Sequence, residues 1–142
     1  MSFGWSAGDI IATLQLLYQI GSALKDSGGA SSEFQETDSF LQTLSRTLKN
    51  LNALQATPLD PSFAENLREH CSHIREPLDA FLDDIGRRYK PALGKNSGRN
   101  KILAAPRKIQ WALSTHKKIK QLQDRITVPM TAVTLLFGQQ IL

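Results

Sequence analysis

From Ile10 to Leu24 the chain runs fifteen residues without a charge, bracketed by Asp9 and Lys25. Charged residues make up 21% of the sequence, so a stretch this apolar must be buried in a core, given to a partner or laid against a membrane. The run reads as a helix. Ser6 is placed to cap it, and Asp9 follows three residues later, where a capping box carries an acidic or amide side chain. Ile10, Leu14, Leu17 and Leu24 mark one face, while Ile11, Leu16, Tyr18 and Ile20 spread apolar character onto the others. At ~1.5 Å rise per residue the run is only about 22 Å long, short of the ~30 Å hydrocarbon core, which disfavours a spanning segment. No basic stretch precedes it and no small-residue cleavage pattern follows, so it does not read as a signal peptide. Hydrophobicity all round favours a central helix of a bundle over membrane or partner use.

The remainder keeps the helical period. Gly28 and Gly29 end the first helix, and Ser32 with Gln35 makes a second capping box. Leu41, Leu44, Leu48, Leu51 and Leu54 form a stripe at steps of three and four, on a helix expected from about residue 33 to 54. Asp60 followed by Pro61 is a third start signal, and Phe63, Leu67, Cys71, Ile74, Leu78, Phe81, Leu82 and Ile85 carry that helix toward Tyr89. Pro77 inside this stripe predicts a kink or a break. Residues 90–106 read as a mobile basic loop rich in Gly, Pro, Asn and Lys. A short helix over about 107–113 should follow, with Ser114 capping the last one, along which Ile119, Leu122, Ile126, Met130, Val133 and Phe137 continue to the end, bent at Pro129. No segment alternates with period two, so the expected fold is an all-α single-domain bundle of four or five long helices. The 142 residues fit one domain, and a lone cysteine excludes an internal disulfide framework and fits a reducing, cytoplasmic setting.

Charge steps sharply along the chain. Residues 1–84 hold twelve acids against five bases, a net of minus seven; residues 85–142 hold twelve bases against one acid, a net of plus eleven. Arg87, Arg88, Lys90, Lys95, Arg99, Lys101, Arg107, Lys108, Lys117, Lys118 and Lys120 follow one another with no Asp or Glu between them. Internal compensation is one account, because Glu65, Glu69, Glu76, Asp79, Asp83 and Asp84 on the third helix can sit opposite in the bundle. A docking surface for anionic phospholipid is the sharper account, each cation near such a surface contributing ~1 kcal/mol. Nucleic acid ranks below lipid: only Tyr89 and Trp111 interleave as aromatics, and no reader motif accompanies the bases.

Catalytic patterns are missing. In His70-Cys71-Ser72-His73 the cysteine falls on the apolar stripe, and adjacent helical residues point in different directions, so a buried core thiol is the better reading than a nucleophile. His70 and His73 lack a third metal ligand, Asp83 and Asp84 splay apart, and residues 94–98 lack the glycine spacing and terminal Lys-Ser/Thr of a phosphate loop. No enzyme, metal site, cofactor or small-molecule substrate is expected.

Three segments carry a family resemblance. Ser2-Phe3-Gly4-Trp5-Ser6-Ala7-Gly8-Asp9-Ile10-Ile11 resembles the SFGFSVGDF-type start of a group of filamentous-fungal N-terminal domains, with Trp5 where Phe is commoner. Ser31-Ser32-Glu33-Phe34-Gln35 looks like the start of that family's second helix, and Lys108-Ile109-Gln110-Trp111-Ala112-Leu113 is similar to its KIQWAL segment. The resemblance implies a HeLo-like helical domain, found ahead of ubiquitin-like, NACHT or ankyrin modules in fungal signalling proteins, so the chain reads as the N-terminal part of a longer protein. It further implies a signalling or cell-death role in which an N-terminal hydrophobic helix acts on the inner face of the plasma membrane. The residues expected to meet membrane or partner are Trp5, Ile10, Ile11, Leu14, Leu17 and Tyr18. Those expected to meet anionic lipid are Arg87, Arg88, Lys90, Lys101, Arg107, Lys108, Lys117, Lys118 and Lys120. Gly21 and Ser22 weaken helix propensity near the exit of the run, which would ease its detachment. A rival expectation is a self-association or protein-partner module using Leu14, Leu17, Leu135 or Leu136.

Overall fold

Ser6 opens the first helix: its hydroxyl accepts the Asp9 backbone N–H at 3.1 Å, and its carbonyl accepts that of Ile10 at 3.0 Å. Helix α1 spans Ala7–Asp26 in the computed structural model, which describes residues 4–26, 32–93 and 105–141, with side chains described over 4–25, 34–85 and 111–138. Gly28 and Gly29, read as the helix terminator, lie outside the described residues. Helix α2, Ser32–Leu54, ends in a tightened turn in which Gln55, Ala56 and Thr57 each donate to the carbonyl three residues back. Asp60 then caps α3, Pro61–Leu93. Its carboxylate accepts the backbone N–H groups of Ser62 at 3.2 Å and Phe63 at 3.3 Å, together with the Ser62 hydroxyl at 2.5 Å. Helix α4 spans Ala105–Ile141.

Two expectations need correction. Of the kink or break expected at Pro77, the break does not occur: helix α3 is continuous there, with the apolar positions Ile74, Leu78 and Phe81 buried on both sides of the proline and holding the helix against its neighbours. Likewise the two helices expected on either side of Ser114 are one. Buried Trp111, Ala112, Thr115, Ile119 and Leu122 continue a single stripe straight past the serine, and a capping residue ends no helix whose apolar face continues. The 90–106 loop is accordingly shorter than its composition implies: residues 90–93 and 105–106 belong to α3 and α4, and the remainder lies outside the described residues. Around Pro129, α4 stays helical, with the hydroxyls of Thr127, Thr131 and Thr134 donating to the carbonyls of Gln123, Thr127 and Met130.

The described residues form an all-α bundle of four helices with no strand. Helix α1 packs on α2 and α3, and α4 packs on the same two, so α1 and α4 occupy diagonally opposite corners. Directions follow from individual contacts. Gln55, just after α2, reaches Trp5, just before α1, so these helices are antiparallel. Lys118 pairs with Asp84, while His73 and Pro77 share a groove with Arg125 and Pro129, so α3 and α4 are antiparallel too. At 33 and 37 residues these two are the long pair, about 50 and 55 Å at 1.5 Å per residue, and their ends carrying residues 86–93 and 105–110 meet at one end of the bundle. The core combines Ile10, Leu17, Ile20 and Leu24 of α1 with Leu44, Leu48 and Leu51 of α2, Leu67, Ile74, Leu78 and Ile85 of α3, and Ile119, Ile126 and Val133 of α4.

Candidate interaction surface on the first helix and the cationic flank

The charge-free run has two different sides. Ile10, Thr13, Leu17, Ile20 and Leu24 recur at steps of three and four and are buried. Ile11, Leu16 and Tyr18 are 48%, 38% and 77% exposed, and exposed Gln15 and Gln19 complete an outward face with no charge between Asp9 and Lys25. Of the residues expected at a membrane or partner contact, Ile11 and Tyr18 therefore face outward, Leu14 is half-buried, and Trp5, Ile10 and Leu17 belong to the core. Helix α1 stands at a corner of the bundle, covered on one side by α2 and α3.

Its N-terminal approach is tied down by residues the sequence did not single out. Gly4 adopts φ +77°, a left-handed turn that glycine accepts without strain, and the next residue, Trp5, is 2% exposed. Gln55 Nε2 donates to the Trp5 carbonyl at 2.6 Å. Arg75 of α3 donates from Nη1 to the Gly4 carbonyl, lies 5.7 Å from the Trp5 ring centroid, and sets Nη2 3.4 Å from the Asp9 carboxylate. Asp79, one turn along α3, accepts from Arg75 Nε at 3.2 Å and orients the guanidinium. Asp9 thus completes only half of the expected capping box: its N–H reaches Ser6, and its carboxylate faces Arg75.

The cations divide as well. Lys117 and Lys120 are exposed and have no ion-pair partner among the described residues. Lys118 is bound to Asp84 across the α3–α4 interface, so it serves internal compensation. The side chains of Arg87, Arg88, Lys90, Arg107 and Lys108 lie outside the described residues, although their backbones fall in the facing ends of α3 and α4; Lys101 lies outside altogether.

Other polar groups are structural. Cys71 is buried, and the loss of hydration pushes its thiol up to about 12, far from the thiolate a nucleophile needs. His73 is exposed, and the Ser72 hydroxyl donates to the Glu69 carbonyl at 2.8 Å. No group of three His, Cys, Asp or Glu that could hold a metal occurs among the described residues. His116 was not anticipated. It meets the Thr37 hydroxyl through Nδ1 at 2.8 Å and packs edge-on against Phe34 at 5.8 Å, tying the start of α2 to α4. Among the described residues, open grooves flank α4 on both sides, about 800 Å³ against α2 and about 700 Å³ against α3, the latter including His70, His73 and Arg125.

The fold and these surfaces define an all-α four-helix-bundle domain. No protein-family model, curated protein or solved structure matches the chain. No described helix is long and apolar enough to cross a membrane.

Proposed function

We propose that this chain is a non-enzymatic signalling domain of the HeLo-like kind, which associates with anionic membrane through α1 and the cationic end of the α3–α4 pair. The supporting observation is the outward face of α1, where Ile11, Leu16 and Tyr18 meet water with no charged neighbour along the helix from Ile10 to Leu24. A helix lying in the interfacial plane needs an apolar face and a nearby source of positive charge, not the length of a membrane span. The three motif resemblances, two in the first third of the chain and one in the last, favour the same reading, and with it a cytoplasmic protein recruited to the inner face of the plasma membrane. Sedimentation with phosphatidylserine vesicles tests it. Binding at low salt, weakened by Lys117→Glu with Lys120→Glu and by Ile11→Asp, is the expected result; absence of binding at low salt overturns it. Lys118 is unsuitable for charge reversal because its ammonium already serves Asp84.

A second reading, self-association or protein-partner binding without lipid, is favoured by one observation. Exposed apolar side chains are not confined to α1: Leu113, Val128 and Leu135 of α4 also meet water, so the bundle offers apolar contact surface away from the face proposed for lipid. In this reading Tyr18 and Ile11, or Leu135 at 66% exposure, form the contact, and light scattering of the purified chain would show a discrete oligomer.

A further inference from the structure

Residues Gly4 to Asp9 form a strap held by two side chains: Gln55 donates to the Trp5 carbonyl, and Arg75 gathers the remaining contacts to the rest of the bundle. Arg75 engages a backbone carbonyl at Gly4, the face of the Trp5 indole, and the Asp9 carboxylate in the first turn of α1, while Asp79 holds the guanidinium from its own helix. The planar fork of arginine is suited to such simultaneous contacts, and lysine could make only one of them at a time. We propose that Arg75 is the latch of a releasable N-terminal strap, whose opening withdraws Trp5 from the core and frees the first half of α1 while the remaining helices stay packed. This rests on the proposed function only for the purpose of release; the latch itself stands on the contacts. Two features make the strap separable. Its ionic partners are half in water, with side chains 32%, 56% and 52% exposed at Arg75, Asp9 and Asp79, so the attachments exchange with solvent. It also lies at one end of a corner helix that has packed neighbours on one side only. Local openings of this type occur below the free energy of global unfolding.

Hydrogen exchange read by mass spectrometry on the 142-residue chain tests the latch. Arg75→Gln should accelerate exchange of amides 7–17 by about tenfold or more, the scale of one lost charge-assisted hydrogen bond, with α2 and residues 115–133 of α4 unchanged. Gly4→Ala should open the same segment with Arg75 intact: its added Cβ meets nothing within 4 Å, and only the φ of +77° is strained. Acceleration spread equally over all four helices, loss of the fold in Arg75→Gln, or no change at residues 7–17 in either variant would overturn the proposal. The same variants sedimented with vesicles separate the two ideas. Local opening with enhanced vesicle binding supports both, whereas local opening with no vesicle binding keeps the latch and removes the lipid reading.

Discussion

Ile10 and Ile11 are the same residue, adjacent on the same helix, and differ only in which side of α1 they occupy. Ile10 is fully buried, and truncation to alanine there removes a packed side chain and leaves a cavity, a loss of about 3 kcal/mol. Ile11 is 48% exposed, so roughly half of its transfer energy is at stake, about 1 kcal/mol, and the better helix propensity of alanine returns a few tenths of that. The two variants should therefore differ by about 2 kcal/mol, or roughly 5 °C or more in Tm for a domain of this size. Urea unfolding followed by far-ultraviolet circular dichroism gives the comparison, with equal slopes confirming that only stability has changed. The order should invert in a vesicle assay at a temperature where both variants are folded: Ile11→Ala loses binding and Ile10→Ala keeps it. Equal destabilisation, or a larger loss at Ile11, would refute the register of α1 and with it the outward apolar face.

Other substitutions probe the frame that holds this face. Burial raises the Cys71 thiol to about 12, so the folded state holds a proton that the unfolded state releases near 9. Its contribution is complete below pH 9 and is lost as pH rises toward 12, and Cys71→Ala should show a flatter decline over that window in urea midpoints. Folded protein should also resist thiol alkylation at pH 8 until urea exposes the side chain. Hydrogen bonds from Ser62 and Phe63 hold the Asp60 carboxyl below its ordinary 3.8, so the cap stabilises α3 above that pH and fades as pH falls below it. Asp60→Asn should lower Tm at pH 7, with the difference from the parent shrinking toward pH 3. Asp84→Asn leaves the partly buried Lys118 ammonium without its carboxylate and should cost about 1 kcal/mol, measured by the same unfolding curves.

Much of the fold was legible because local signals and burial agree. Ser6 and Asp60 start helices through the hydrogen bonds that their side chains predict, and Leu41, Leu44, Leu48 and Leu51 are buried as their spacing requires. Where they conflict, packing prevails: the cap signal at Ser114 and the proline at position 77 interrupt no helix, since the buried stripe passes through each of them. The side of α1 that faces the core was legible in part: Ile10, Leu17 and Leu24 of the face marked from the sequence are buried, and Ile11, Leu16 and Tyr18 are exposed. With apolar residues around the whole circumference, periodicity did not single out Thr13 or Ile20 as buried, and both belong to the covered side. Arg75 was hidden for a different reason. Its partners Gly4 and Asp9 lie 71 and 66 residues away, and its only local sign is the Asp79 one turn later. The same holds for His116, whose Thr37 partner is 79 residues distant.

The outward face of α1 can be interrogated at a single position. Because Cys71 is buried, a Tyr18→Cys variant accepts an environment-sensitive fluorophore selectively, and Asn50→Cys on the exposed side of α2 supplies the control. On addition of phosphatidylserine vesicles at low salt, the account predicts a blue shift from the probe at position 18 and none from position 50. An unshifted spectrum at position 18, with vesicles in excess, would contradict it.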